Sequence, residues 1–301
     1  MQPLIPYWDI IAIPIGPVTV HGFGILVALG FVFGTRVACK KAARDGFDPE
    51  IVNSLVHWIV LGVFLGGHLG HLLFYFPEQM ADDPEKFGMM LNAFSAGRLP
   101  TVDELPEILK VWQGLSSFGG FLATTLLLLW FFRKRGISFW DYGDTLAYGM
   151  MTGWMLGRFG CFAAHDHVGV TTEFWLGVQG ICPVPGGMLP PDRHEWSLAC
   201  HDLGLYEALW SGAMAIWFWT RDKVERHSGY FVGWMCLSYG PVRFVMDFYR
   251  HTGDGADTRY MGLTPAQYGS ITVALLGAWL LYSRRNKPAP RGDWKPAQET
   301  A

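Results

Sequence analysis

The sequence GRFGCFAAHDHVG, residues Gly157–Gly169, closes an apolar segment that is long enough to cross a lipid bilayer. An Arg near the end of such a segment is costly in lipid unless the protein uses it. Three further titratable side chains follow closely, at His165, Asp166 and His167. Ionisable groups concentrated at a membrane face predict a site that carries out polar chemistry next to lipid.

The composition is typical of a protein that crosses the membrane several times. Of the 301 residues, 50% are hydrophobic and only 16% are charged, against about 25% charged residues in soluble domains. The 14 Trp and 37 Gly are typical of membrane helices and their interfaces. The net charge of -3 gives no basis for binding to nucleic acid, so we predict no nucleic-acid partner.

Seven segments have the length and apolar character of membrane-spanning helices, for which about 20 residues suffice. They lie near Pro17–Cys39, Ser54–Phe76, Leu115–Phe132, Thr145–Phe162, Leu203–Thr220, Gly229–Phe248 and Tyr260–Ser283. The first three and the last carry almost no charge, whereas the fourth to sixth contain ionisable residues. We therefore predict an all-α fold, a polytopic integral membrane protein with seven transmembrane helices.

The distribution of Lys and Arg predicts the orientation of these helices. Most of the 23 basic residues follow the first, third, fifth and seventh spans, and the other connections are poor in them. Because loops rich in Lys and Arg stay in the cytoplasm, the N-terminus is predicted outside and the C-terminus in the cytoplasm. Polar residues from six spans then reach the same outer level, which predicts one cavity that opens toward the exterior leaflet.

We expect a single membrane domain over residues 1–285, followed by a polar cytoplasmic tail over residues 286–301. Two exterior loops, near residues 77–113 and 163–202, are too long to be simple connections. They could cap the cavity or be solvated loops without a role, and the first could contain a surface helix on the membrane. The second contains Cys182 and Cys200, which form either a disulfide or two free thiols.

Three arginines near the outer ends of the spans are candidates for binding an anion. Arg158, Arg243 and Arg250 carry a planar guanidinium group that suits phosphate oxygens. The abundant phosphate at an outer membrane surface is the phospholipid headgroup. The alternative is a structural ion pair, for example between Arg243 and Asp247, which lie four residues apart on one helix face.

The residues after the fourth span are candidates for proton transfer. Asp166 has a histidine on each side, and imidazole suits proton abstraction near neutral pH. His165 and His167 could instead hold a metal together with Cys161, but no further ligand set is evident, so we predict neither metal nor cofactor. His167 by itself is interpreted as an exposed loop residue. His21, within the first span, is expected to be buried and to have a partner.

The motif and several other stretches resemble the bacterial prolipoprotein diacylglyceryl transferases. The family signature reads Gly-Arg-x-Gly-Asn-Phe-x-Asn-x-Glu-x-x-Gly, and five of its residues stand in the chain at Gly157, Arg158, Gly160, Phe162 and Gly169. Similar stretches are Val20–Gly24, Gly62–Gly67, Gly114–Gly120, Leu205–Glu207 and Tyr239–Arg250. The family has seven spans and an exterior N-terminus, which agrees with the arrangement predicted from charge.

The resemblance implies a reaction and its participants. A diacylglyceryl group moves from phosphatidylglycerol to the lipobox Cys thiol in a prolipoprotein signal peptide, at the exterior or periplasmic face of the bacterial cytoplasmic (inner) membrane, and a thioether and glycerol phosphate are formed. Phosphatidylglycerol, prolipoprotein signal peptides and membrane lipid are the implied partners. The candidate catalytic residues are Arg158, Arg243, Asp166, His165 and His21. The candidate substrate-binding residues are Arg250, Tyr239, Glu207, Tyr206, Asp247, Gly119 and Gly120, the two glycines being either helix-packing positions or a slot for an acyl chain.

The chain departs from the family pattern at several positions. Cys161 and Ala164 replace the two Asn residues of the signature, and Asp166 replaces its Glu. Phe118 stands where the family has His in a Ser-Phe-His-Gly-Gly stretch, so a base at that place is absent. The alternative to an active transferase is therefore a phospholipid-binding membrane homologue that is non-catalytic or has an altered acceptor.

Overall fold

The computed structural model describes residues 4–15, 18–74, 83–101, 103–106, 116–182, 198–250 and 259–295. They form eight α-helices and five short β-strands. The helices are α1 (Gly22–Arg44), α2 (Pro49–Phe74), α3 (Asp83–Ser95), α4 (Ser117–Arg135), α5 (Phe139–Ala163), α6 (Leu203–Arg221), α7 (Tyr230–Met246) and α8 (Pro265–Arg284). The strands are β1 (Ala12–Ile15), β2 (Val18–His21), β3 (Val168–Thr171), β4 (Val178–Gln179) and β5 (Ala199–Asp202), and a 3₁₀ turn, Asp247–Tyr249, follows α7. The predominantly helical fold is confirmed, whereas the strands were not predicted.

Each of the seven predicted spans coincides with a helix, but some helix ends differ. The first helix begins at Gly22, later than predicted, because β2 pairs antiparallel with β1. The last helix begins at Pro265, where the Thr264 hydroxyl and the Gln267 side chain form a reciprocal capping box. The positions of these helix ends depend on capping and strand pairing. The length of an apolar segment gives no information on either.

Two helices in the described part of the chain are long and apolar enough to cross a membrane by length and composition. They are Gly22–Arg44 and Pro49–Leu73. Large apolar side chains are also exposed on other helices, among them Phe121 on α4, Ile216 on α6 and Leu275 on α8. Exposed apolar surface of this kind is typical of a face that contacts lipid or another protein. The crossing of the membrane by all seven helices stays a prediction.

The chain divides into two compact units, and Glu50–Phe139 forms one of them. Within this unit α2 and α4 pack closely through glycines. A Cβ atom at Gly66 would lie 2.6 Å from the carbonyl oxygen of Gly119, so a side chain at either position would separate the helices. The Ser116 amide also donates a hydrogen bond to the Gly67 carbonyl at 2.9 Å. The prediction of one domain over residues 1–285 stays untested by this division.

The other unit contains the remaining helices around a buried aromatic and aliphatic core. Its core residues come from α5, α6 and α7 and are Ala147, Tyr148, Met151, Ala215, Phe218 and Phe231. Helix α1 approaches α5 so closely that a Cβ atom at Gly30 would lie 2.7 Å from the Gly153 carbonyl oxygen. The Asp144 carboxylate of α5 accepts hydrogen bonds from the first amides of α7, which joins these two helices at their adjacent ends.

A small antiparallel sheet with the order β3-β5-β4 lies in the predicted second loop. A disulfide joins Cys182 to Cys200, with a Cα–Cα distance of 5.4 Å, so the described structure contains the first of the two predicted alternatives. Ile5 pairs with Val178 in a parallel bridge, and so the N-terminal segment extends this sheet. The predicted first loop contains helix α3, and its residues 77–82, 102 and 107–113 lie outside the described residues.

Candidate active site

The beginning of α6 is held against the end of α5. The buried Asp202 side chain accepts a hydrogen bond from the Leu205 amide at 2.9 Å and thereby caps α6. Glycine at 204 permits the close approach, because a Cβ atom at Gly204 would lie 2.9 Å from the Phe162 amide nitrogen. This contact places Glu207, in the second turn of α6, against the last turns of α5.

Arg158 of α5 and Glu207 of α6 form an ion pair through the guanidinium Nε and the carboxylate. The Glu207 side chain is 3% exposed and that of Arg158 is 21% exposed. The guanidinium carbon lies 5.4 Å from the centre of the Trp154 ring, and the Tyr239 ring of α7 meets the Trp154 ring edge-on at 5.8 Å. Because Nε is directed to Glu207, the terminal nitrogens of Arg158 face other groups.

The chain after α5 folds back over the last turn of that helix. His165 has a φ of 51°, in the left-handed region, and the Asp166 amide then donates a hydrogen bond to the Cys161 carbonyl at 3.2 Å. The Leu203 amide donates to the His167 carbonyl at 2.9 Å, which ties the loop to the start of α6. The reversal brings Asp166 and His167 next to Cys161.

Cys161, Asp166 and His167 form a polar cluster beside Arg158, which we call the Cys-Asp-His cluster. His167 Nε2 lies 3.3 Å from Arg158 Nη1, and Cys161 Sγ lies 3.8 Å from the same nitrogen. His167 Nδ1 lies 3.2 Å from an Asp166 carboxylate oxygen. The Asp166 carboxylate raises the pKa of His167 to about 9, and in turn the His167 ring lowers the pKa of Asp166. His167 thus lies in a loop, as interpreted, but it is only partly exposed and contacts both Asp166 and Arg158.

Arg243 occupies the last turn of α7, beyond Tyr239. Its Nη2 lies 3.6 Å from the carboxylate of the buried Asp247, so the predicted ion pair four residues apart is present. Asp247 also accepts a hydrogen bond from the Thr264 hydroxyl at 2.5 Å, which anchors the pair to the start of α8. Tyr239 lies within electrostatic range of both Arg158 and Arg243. The ion-pair alternative is thus compatible with an anion-binding role, since Arg243 keeps other donors.

His165 does not share the cluster of its neighbours. Its ring stacks on Tyr7 and lies against Trp8, and Nε2 contacts the Trp8 carbonyl oxygen at 3.1 Å. Its Nδ1 lies 4.0 Å from the carboxylate of Asp202, which caps α6. The His165 side chain is therefore directed toward the N-terminal segment, and the expected joint action of both flanking histidines on Asp166 has no support in this arrangement.

Two other polar side chains lie near the start of α6. Tyr206 holds its hydroxyl 2.7 Å from His201 Nδ1. The His201 ring lies 4.8 Å from that of Tyr249, and burial lowers the pKa of His201. Tyr206 thus belongs to an aromatic group that flanks the sheet.

The remaining predicted residues lie elsewhere. His21 ends β2 and is exposed, so the expectation of a buried imidazole within the first helix is wrong; β2 pairing places it before α1. Arg250 is exposed and forms a backbone bridge with Gly169, beside β3. Gly119 and Gly120 belong to the unit Glu50–Phe139, and the first of them packs against α2.

Residues 10–283 match the family model described as prolipoprotein diacylglyceryl transferase. The chain belongs to this family. It is 33% identical over 287 residues to the phosphatidylglycerol–prolipoprotein diacylglyceryl transferase of Solidesulfovibrio magneticus, with 93% of this chain and 96% of the relative covered. It is 30% identical over 291 residues to the enzyme of that name from Bordetella avium, with 95% and 98% covered. The enzyme of that name from Nitratidesulfovibrio vulgaris strain DP4 is 28% identical over 283 residues, with 92% and 94% covered.

Prolipoprotein diacylglyceryl transferases are bacterial membrane enzymes, so the predicted family and class of protein are confirmed. The structure adds His167 to the candidate residues of this family member. The only sequence signal for it was its position beside Asp166 and six residues after Cys161. The spacing of residues could not show that the chain reverses at His165. It therefore could not predict that His167 contacts Asp166 while His165 faces the N-terminal segment.

Proposed function

We propose that this chain transfers the diacylglyceryl group of phosphatidylglycerol to the lipobox cysteine thiol of prolipoproteins. The relatives in Solidesulfovibrio magneticus and Bordetella avium are named for this transfer, and the chain covers 96% and 98% of their lengths. The observation that carries the proposal is the Arg158 guanidinium, which Glu207 holds by Nε while its Nη1 is directed toward the Cys-Asp-His cluster.

The chemistry of the transfer requires a binding site for a developing anion. The thiol gives up its proton to water, its sulfur bonds to the terminal glyceryl carbon, the bond between that carbon and the phosphate oxygen breaks, and the electron pair of that bond stays on the oxygen. The phosphodiester thereby becomes a phosphate monoester with additional negative charge. Positively charged donors that already point at this oxygen lower the barrier, and the loss of one such donor typically costs about 10²–10³ in rate. Arg158 is suited to this role because Glu207 and Trp154 hold its orientation.

Arg243 is proposed as the second phosphate ligand. Asp247 orients its guanidinium, and Arg243 follows Tyr239 by one turn of α7. The roles of Arg250, Tyr206, Gly119, Gly120, His165 and His21 stay predictions from the sequence.

We also propose that the chain crosses the inner membrane seven times with its site at the exterior face. The basic ends of three helices come together in one unit: Lys41 of α1 contacts Asp222, which follows α6, and Arg291, beyond α8, contacts Asp45. Arg158 lies near the other end of α5, whose first turns adjoin the start of α7 through Asp144. Basic residues gathered at one end support a cytoplasmic position for that end.

A reconstituted reaction tests the proposed function. Purified protein in detergent would be incubated with phosphatidylglycerol and a lipobox peptide with a free thiol, and mass spectrometry would follow the peptide. We expect a diacylglyceryl adduct without phosphate. The adduct should fall at least about 100-fold for Arg158→Ala and for Arg243→Ala, and stay unchanged for Arg285→Ala, an exposed arginine that lies over the Tyr282 ring.

Two results would contradict the proposal. Full transfer by the Arg158→Ala/Arg243→Ala double variant would exclude the phosphate role of these arginines. Binding of phosphatidylglycerol by the parent protein without any adduct would favour the alternative of a lipid-binding homologue.

A further inference from the structure

Arg158 meets the Cys-Asp-His cluster at the ring of His167. Arg158 Nη1 lies 3.3 Å from His167 Nε2. A guanidinium nitrogen only donates hydrogen bonds, so Nε2 accepts when the imidazole is neutral. The single ring proton is then on Nδ1, which lies 3.2 Å from the Asp166 carboxylate. In this neutral state, His167 is the acceptor for Arg158 Nη1 and competes with any anion for that nitrogen.

Protonation of His167 turns this contact into a pair of donors. The imidazolium ring carries a proton on each nitrogen, so Nε2–H and the Nη1–H of Arg158 then stand 3.3 Å apart on two positively charged groups. An oxygen at about 2.8 Å from both nitrogens can accept from both, which is the usual length of a hydrogen bond between charged partners. A phosphate oxygen suits this position because it is a strong acceptor and carries negative charge.

The surroundings of His167 favour its protonated form. The charged and titratable groups that act on the ring, directly or through Arg158, are Asp166, Cys161, Arg158, Glu207 and Tyr239. Asp166, followed by Cys161, raises the pKa of His167 to about 9, and the opposing charge of Arg158 has the smallest effect. At neutral pH the ring is therefore mostly protonated.

The His167 side chain is also open to a ligand from outside. It is 41% exposed, and that of Asp166 is 61% exposed. His167 Nδ1, which faces Asp166, is itself buried. The open surface of the His167 side chain therefore lies away from its contact with Asp166, where a headgroup could approach.

We propose that the protonated His167 ring donates, together with Arg158, to the phosphate oxygen from which the glyceryl carbon departs. This role deepens the proposed function and rests on it. His167 would be a catalytic residue because it touches the reacting oxygen, whereas Asp166 acts through His167 and is a positioning residue. The loss of one donor of this kind typically costs about 10²–10³ in rate.

His167 keeps its proton during the transfer. The departing group is a phosphate monoester with a second pKa of about 6, below the pKa of about 9 of His167. Proton transfer from the ring to the oxygen is therefore unfavourable, and His167 acts through its charge and its hydrogen bond. The sulfur–carbon bond forms, the carbon–oxygen bond breaks, and the electron pair stays on the oxygen beside Nε2 and Nη1.

Binding of the anionic product can be measured without any transfer. The full-length protein in detergent would be titrated with glycerol phosphate by calorimetry between about pH 7 and pH 10, where this ligand stays a dianion. We expect the Kd of the parent protein to rise above about pH 9, because the ring is a charged donor only below its pKa. His167→Gln, with a neutral donor, should bind about 10-fold more weakly near neutral pH and lack this rise.

Three variants serve as controls for the titration. His57→Gln replaces an exposed histidine of α2 and should bind as the parent does. Cys161→Ser should retain the rise in Kd, which shows that the cluster thiol does not cause it. His167→Arg stays charged over the whole range and should bind tightly without the rise.

Asp166→Asn tests the positioning role of the carboxylate. Without it, the pKa of His167 should return toward its ordinary value of about 6.5. At pH 8 the protonated fraction of the ring would then fall from about 90% to about 3%. The rise in Kd should accordingly begin near neutral pH in this variant, about two pH units lower than in the parent.

The transfer assay on the same proteins separates the two proposals. Transfer that is about 10²–10³ slower in His167→Gln, together with the altered binding, supports the role of His167. A rise in Kd that persists in His167→Gln, a parent protein that binds glycerol phosphate equally at all pH values or not at all, or an unchanged transfer rate in His167→Gln overturns it. Binding that depends on His167 without any transfer supports the phosphate site and contradicts the proposed function.

Discussion

Substitutions in the Arg158–Glu207 ion pair can separate the contribution of the pair to stability from its contribution to the transfer reaction. The pair joins α5 to α6, and the carboxylate is almost fully buried, at 3% exposure, whereas the guanidinium side chain is 21% exposed. Arg158→Gln and Glu207→Gln each remove one charge and keep a polar side chain. Each variant leaves the opposite charge without its partner.

The expected losses follow from the burial of the charge that remains. Removing one member of a buried ion pair costs about 3–5 kcal/mol. Arg158→Gln leaves the more deeply buried Glu207 carboxylate without its partner, so we expect the free energy of unfolding to fall by about 5 kcal/mol. Glu207→Gln leaves a guanidinium that can still reach water and His167, so we expect about 3 kcal/mol. The double variant has no unpaired charge, and its loss of stability should be smaller than the sum of the single losses by up to about 3 kcal/mol.

Thermal unfolding in detergent and the transfer assay provide the two measurements. At about 2 °C per kcal/mol for a chain of this length, the Tm should fall by about 10 °C for Arg158→Gln and by about 6 °C for Glu207→Gln. The rate of transfer should fall by a factor of about 10²–10³ in both variants that lack Arg158. Glu207→Gln should retain part of the rate. The reasoning is refuted if the effects of the two substitutions on Tm are additive, or if the double variant recovers transfer together with stability.

Three further predictions concern helix packing within each unit and the disulfide. Asp144→Ala removes the carboxylate that accepts three amide hydrogen bonds, at 2.7, 2.8 and 3.0 Å, from the start of α7, and should cost about 4 kcal/mol in thermal unfolding. Gly119→Ala places a Cβ atom 2.3 Å from the Gly66 carbonyl oxygen and should lower Tm by the equivalent of about 2 kcal/mol. Gly88→Ala, inside α3 and with no atom within 4 Å, should instead raise Tm by the equivalent of about 0.5–1 kcal/mol, because Gly is a poorer helix former than Ala. Cys200→Ser opens the disulfide, which spans 18 residues, and should cost about 3 kcal/mol; a parent protein whose Tm does not change on reduction would contradict this expectation.

Much of the helical framework could be predicted from the sequence because hydrophobic length is a local property. All seven predicted spans coincide with helices, and the pairing of Arg243 with Asp247 follows from their separation by four residues on one helix. The helix ends were less predictable. The displacement of His21 from the first helix resulted from a strand pairing, which depends on a second segment of the chain.

The sequence by itself determined the membrane class, the family resemblance and the arginines that suit a phosphate. Only the tertiary structure decided which groups surround them. Glu207 reaches Arg158 because the Asp202 cap and the absence of a side chain at Gly204 press α6 against α5. His167 joins the cluster, and its neighbour His165 does not, because the backbone reverses at a left-handed residue, a conformation that neighbouring elements stabilise and that residue spacing does not encode.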